Sequence, residues 1–129
     1  MTQKYQIYKC DICGNGVEVL HEGTGTLSCC GQLMTEMAPK PTGGENEKHQ
    51  PVVEKEEGGT IIKAASVPHP MEENHCIEWV EAFKRDGKVV RIPLNPGDRP
   101  EAHIEWGLGE LKEVRFYCNV HGLRSKKLT

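Results

Sequence analysis

Aromatic side chains are scarce in this chain: Phe, Trp and Tyr make up 5% of 129 residues, and hydrophobic residues of all kinds only 36%. A single large core is therefore not expected, and part of the stability has to come from something other than burial. No apolar run is long enough to cross a bilayer. Met1–Cys10 is polar and lacks the apolar stretch of a signal peptide. An excess of basic residues is missing too. Sixteen Lys and Arg stand against 19 Asp and Glu, a net charge of −3, so no stripe is present to displace counterions from nucleic acid. These absences predict a cytoplasmic protein with no membrane and no nucleic-acid partner.

Metal-ligating side chains, by contrast, are abundant: six cysteines and six histidines. Thiols in a reducing compartment read as metal ligands before disulfides. Composition divides the chain into a cysteine-bearing segment 1–37, a Pro- and Gly-rich linker 38–46 and a larger region 47–129. The larger region reads as all β. Strands are expected over Thr60–Val67, His75–Phe83, Lys88–Leu94, Ala102–Trp106 and Glu113–Tyr117. Asp86-Gly87 lies between two of these runs and is a strong hairpin signal. Short strands at this spacing, with no amphipathic helix, suggest a β-sandwich.

Cys10-Asp-Ile-Cys13 has the spacing that lets two thiolates face one ion across a tight turn. Cys29-Cys30 is a second pair, without the usual two-residue spacer. A site using all four sulfurs should therefore be a distorted tetrahedron. By ligand type alone such a site accepts zinc or iron.

The remaining ligand-type residues fall in three clusters: Glu47-Lys48-His49, His69 to His75, and Cys118-Asn-Val-His121. Each His lies in or beside a predicted loop, where ligands are readily presented. Pro68 and Pro70 restrict the backbone on both sides of His69. Imidazoles with a soft thiolate suit iron, copper or zinc rather than magnesium or calcium. Four histidines and one cysteine are too many for tetrahedral zinc, and would leave an octahedral ion one open position. Any one of these histidines taken alone is more often an ordinary surface residue; the joint pattern carries the argument.

The runs Cys10-Asp-Ile-Cys13-Gly14, Cys29-Cys30-Gly31-Gln32, Glu47-Lys48-His49, Ser66 to His75, Glu78-Trp79 and Tyr117 to Leu123 together resemble desulfoferrodoxin, the two-iron superoxide reductase family. The likeness spans nearly the whole chain. It implies a small desulforedoxin-like tetrathiolate iron module followed by an immunoglobulin-like β-sandwich. Iron at the first site would be held by Cys10, Cys13, Cys29 and Cys30. Iron at the second would be held by equatorial His49, His69, His75 and His121 with axial Cys118. The resemblance further implies one-electron reduction of superoxide to hydrogen peroxide, a rubredoxin-like electron donor and a homodimer.

By the same resemblance, Lys48 attracts the superoxide anion and positions water for protonation, and Glu47 occupies the sixth position when iron is ferric. Without the resemblance, Glu47-Lys48 is solvated charge at the end of a polar linker. Cys76 stands where the family more usually has an aromatic residue. Alternation along a strand turns it away from His75, as a small buried apolar residue. His21 and His103 are expected not to ligate, and Trp79 and Trp106 to serve the core. Two other functions fit the residues alone: an electron carrier without turnover, and a zinc-binding module.

Overall fold

The computed structural model describes residues 1–39, 50–64 and 69–128. These form two compact units, Met1–Ala38 and Pro39–Thr129. The described residues are almost entirely β, with one 3-10 turn at Leu108–Glu110 and no α-helix. Of the expected linker, only Ala38 and Pro39 belong to the described residues.

The first unit has a three-stranded antiparallel sheet, order β2-β1-β5, from β1 (Ile7–Lys9), β2 (Gly16–Glu18) and β5 (Thr35–Glu36). A separate hairpin pairs β3 (Ser28–Cys29) with β4 (Gln32–Leu33). Its buried hydrophobic residues are only Ile7, Cys10 and Val19. So thin a core adds little stability to a segment of this length, and small modules of this kind usually draw the rest from a metal or a partner.

The second unit is a sandwich of three strands against four. One sheet has the order β10-β7-β6, from β6 (Val52–Glu56), β7 (Gly59–Lys63) and β10 (Glu101–Ile104). The other has the order β12-β11-β8-β9, from β8 (Ile77–Lys84), β9 (Val89–Pro93), β11 (Leu111–Cys118) and β12 (Gly122–Lys127). The core lies between the sheets: Ile62, Ala64, Ala102 and Ile104 meet Ile77, Val80, Ala82, Leu111, Val114 and Phe116. Leu111, Val114, Phe116 and Cys118 of β11 belong to this core, while Arg115 and Tyr117 alternate to the far face. Within the three-stranded sheet, β7 and β10 approach closely at Gly59, where a Cβ would fall 1.9 Å from the Ile104 carbonyl oxygen.

The Asp86-Gly87 signal forms the β8–β9 hairpin. Gly87 takes φ +96°, and the Lys88 amide donates to the Asp86 carboxylate at 3.0 Å. Strand bounds differ from the sequence expectations by a few residues. One difference concerns Cys76, because β8 begins only at Ile77 and both His75 and Cys76 precede it. Cys76 is buried, but alternation along a strand is not what places it.

At the end of the sandwich where β8 starts and β11 stops, the ladder is irregular. Tyr117 pairs with Trp79 but Cys118 pairs with Ile77, leaving Glu78 as an extra residue on β8. Such a bulge re-aims the side chains beside it. Here it adjusts the strand end that carries Cys118.

Candidate metal centres

In the first unit, the Cys10–Cys13 turn closes through a 2.9 Å bond from the Gly14 amide to the Cys10 carbonyl, with Gly14 at φ +84°. The Cys13 amide approaches the Cys10 sulfur at 3.5 Å, and the Asn15 amide approaches the Cys13 sulfur at the same distance. The adjacency of Cys29 and Cys30 has a simple explanation. Cys29 ends β3, and Cys30-Gly31 forms the two-residue turn, with φ +54° and +77°. Positive φ at both central positions defines the turn type favoured by tight hairpins. Cys30 bears the strain of a left-handed conformation, about 1 kcal/mol or more, so that both sulfurs reach the site.

The four sulfurs lie within 4.8 Å of one another. Cys13 Sγ to Cys29 Sγ is 3.6 Å, and Cys29 Sγ to Cys30 Sγ is 3.9 Å. These separations are far beyond a disulfide and match the edge, about 3.8 Å, of a tetrahedron with metal–sulfur bonds near 2.3 Å. The amides of Cys13 and Ile12 lower the Cys10 thiol to about 6. The crowding thiols of Cys13, Cys29 and Cys10 raise Cys30 to about 12. Four thiols at one point cannot all ionise without a cation among them. The donor set fits a metal.

In the second unit, His69, His75, Cys118 and His121 place their ligand atoms within 4.8 Å of one another. His69 and His75 come from the loop between β7 and β8, Cys118 from the end of β11, and His121 from the β11–β12 turn. The loop is pinned where Glu72 and His75 exchange backbone bonds of 2.9 and 3.1 Å, and where the Gly97 amide donates to the Met71 carbonyl at 2.8 Å.

The three imidazoles stand nearly perpendicular to one another, at 80°, 88° and 74°, with ring centroids 4.8–5.8 Å apart. His75 Nε2 is 3.4 Å from His121 Nδ1, which is itself 3.6 Å from the Cys118 sulfur. His69 Nδ1 lies 2.7 Å from the Pro70 carbonyl oxygen. An acceptor there requires Nδ1 to carry the proton, so Nε2 holds the lone pair a metal would use. His69 and Cys118 are buried, and His75 and His121 partly so.

Two further features surround the Cys118 sulfur. The His121 amide points at Cys118 Sγ at 3.4 Å. Buried Arg124 lies near enough to Cys118 that the sulfur partly offsets the downward push of burial on its guanidinium. The Cys76 thiol is pushed up, chiefly by burial and then by Glu78 and Cys118. It stays outside the donor group.

His49, Glu47 and Lys48 lie outside the described residues. His103 faces Glu56 and Glu101 instead of a metal group. Sequence reasoning did not find Arg124, whose buried position opposite Phe116 depends on the sheet pairing. It also missed the side-chain role of Asn119, although that residue stands inside a quoted motif.

Residues 2–37 match the family described as "Desulfoferrodoxin, N-terminal domain", and residues 42–127 match "Desulfoferrodoxin". The chain belongs to the desulfoferrodoxin family. It is 50% identical over 127 residues to a desulfoferrodoxin of Syntrophotalea carbinolica, covering 98% of this chain and 99% of that one. It is likewise 50% identical to a desulfoferrodoxin of Nitratidesulfovibrio vulgaris, over 95% of each chain. Among solved structures it resembles the superoxide reductase from Treponema pallidum, at 25% identity and a TM-score of 0.75, covering 98% of this chain and 100% of that one. The cysteine group and the histidine–cysteine group correspond to the two iron sites of the desulfoferrodoxin family. Family membership decides between iron and zinc where sulfur chemistry alone did not.

Proposed function

We propose that this chain is a superoxide reductase: superoxide takes up one electron and two protons and becomes hydrogen peroxide. The observation that supports this most is the meeting of His69, His75, His121 and Cys118 within 4.8 Å at one end of the sandwich. His49 is the fifth donor in this reading. These residues would hold iron, which would supply one-electron chemistry, and a thiolate among its ligands would favour electron donation to oxygen species.

The chain's own residues do the rest. His69, fixed by the Pro70 carbonyl, presents one nitrogen without having to select a tautomer. The His121 amide points at the Cys118 sulfur, with buried Arg124 nearby. Lys48 draws in the superoxide anion and orders water to deliver protons. Glu47 would offer a carboxylate to the oxidised ion. Segment 47–129 is the reductase domain and 38–46 its linker. In segment 1–37, Cys10, Cys13, Cys29 and Cys30 hold the first iron, which stabilises a module with little core of its own. The electron comes from outside the chain, from a rubredoxin-like protein. The working form is a cytoplasmic homodimer.

The balance of products tests the reading. The pre-reduced protein, exposed to a limited pulse of superoxide, should form one peroxide per superoxide and should stop when its electrons are spent. Half that yield, with oxygen released and no need of reductant, would mean dismutation instead. No reaction would leave an electron carrier.

A further inference from the structure

Asn119 joins the two chain segments that carry the second donor group. Its side-chain Oδ1 accepts from the Cys76 amide at 2.9 Å, and its Nδ2 donates to the Asn74 carbonyl at 3.1 Å. Its own amide donates to the Cys76 carbonyl at 3.2 Å. Asn74 and Cys76 are the two neighbours of His75, so one side chain grips the backbone on both sides of that ligand. Asn119 also directly follows Cys118 and lies two residues before His121.

The partners force the amide's orientation. An N–H can only donate and a carbonyl can only accept, so oxygen must face Cys76 and nitrogen must face Asn74. A residue with two acceptors or none cannot make both contacts. The β8–β11 ladder does not make them either. Its last pair on this side is Ile77 with Cys118, beyond the bulge at Glu78, and His75 lies past that point.

We propose that Asn119 is a positioning residue for the iron site, fixing His75 relative to Cys118 and His121. This rests on the reading of that group as an iron site. The contact is made through the polypeptide on both sides of the ligand, with no bond to the imidazole. Loss of such support lowers metal retention by about 10–100-fold in comparable sites.

The test uses the full iron-loaded chain. Iron release to a ferrous chelator is followed separately for the two sites by their absorption bands, in wild type, Asn119→Ala, Asn119→Asp and Val120→Ala. Asn119→Ala should release iron from the histidine–cysteine site about 10–100-fold faster and shift its sulfur-to-iron band, with the tetrathiolate site unchanged. Asn119→Asp keeps an acceptor for Cys76 and should fall between wild type and Asn119→Ala. Val120, with a side chain that is 56% exposed, occupies the same turn without the clamp, and Val120→Ala should match wild type. Wild-type release and spectrum in Asn119→Ala would overturn the proposal, as would equal loss in Val120→Ala. Failure of the wild-type chain to hold iron at this site, with the tetrathiolate loaded, would instead overturn the site reading beneath it.

Discussion

The amide of His121 lies 3.4 Å from the Cys118 sulfur while the Nδ1 of its ring lies 3.6 Å from the same atom. One residue thus places a ring nitrogen in the proposed donor group and an amide beside the proposed sulfur ligand. The turn between β11 and β12 is short enough to do both. Cys118→Ser keeps the turn but removes the soft donor. Its expected signature is loss of the sulfur-to-iron band of the second site and an iron content falling from about two to about one per chain. The loss should exceed the roughly 10–100-fold weakening that outer partners cause. The tetrathiolate spectrum should remain, and an absorption spectrum with iron analysis checks both.

In the proposed function, Lys48 captures the anion. Lys48→Ile should slow the bimolecular reaction with superoxide by about 10-fold at low ionic strength, within the range known for electrostatic steering. The difference should shrink as salt is added. The absorption spectrum should be unaltered. Rapid mixing at several salt concentrations measures this, and an unchanged rate at low salt removes the steering role.

Across the outer face of the four-stranded sheet, Arg115 and Glu81 form an ion pair in which both partners are buried. The Arg115 guanidinium also lies over Phe83 at 5.0 Å and Trp79 at 5.9 Å. Removing one partner breaks a buried ion pair, so Arg115→Met should destabilise the protein, by up to about 3–5 kcal/mol. Arg115→Met combined with Glu81→Leu should recover most of that loss. Urea unfolding of the single and double variants gives the coupling.

His103 bridges two strands at the surface, with Nδ1 2.9 Å from Glu56 and Nε2 2.7 Å from Glu101. The bond to Glu56, then the bond to Glu101, raises its pKa above the ordinary histidine value. A raised folded-state value means the contribution is complete below the unfolded value, about 6.5, and is lost as pH rises through the folded one. His103→Gln should therefore destabilise the protein at pH 5.5 and leave it unaffected at pH 9. The side chain is 56% exposed, so the difference should stay under about 1 kcal/mol. Urea midpoints at the two pH values decide it.

Much of this was legible in the sequence because ligand spacing and turn chemistry are local. Cys10 and Cys13 announce a turn around an ion, and Asp86-Gly87 announces a hairpin. The Cys29-Cys30 pair looked anomalous until the structure showed a strand end followed by a turn with two positive φ values, which adjacency alone does not reveal. Val52–Glu56 was not expected as a strand because its charged half breaks any alternating pattern. It is held by pairing with β7. Cys76 was correctly expected to be buried, but by the wrong device, since a bulge and a late strand start replace simple alternation. Asn119 acts through bonds to Cys76 and Asn74 in a segment distant in sequence, and the burial of Arg124 depends on tertiary packing; no local pattern encodes either.

The central claim is that rings from separate loops share one ion with the Cys118 sulfur. Diffraction from iron-loaded crystals at the iron absorption edge tests it directly. Two anomalous peaks per chain are expected. One should lie among the four cysteine sulfurs, and one within about 2.0–2.3 Å, the usual range of metal–nitrogen and metal–sulfur bonds, of His69, His75, His121 and Cys118 together. A second peak bound by other residues, or none near Cys118, would contradict the account.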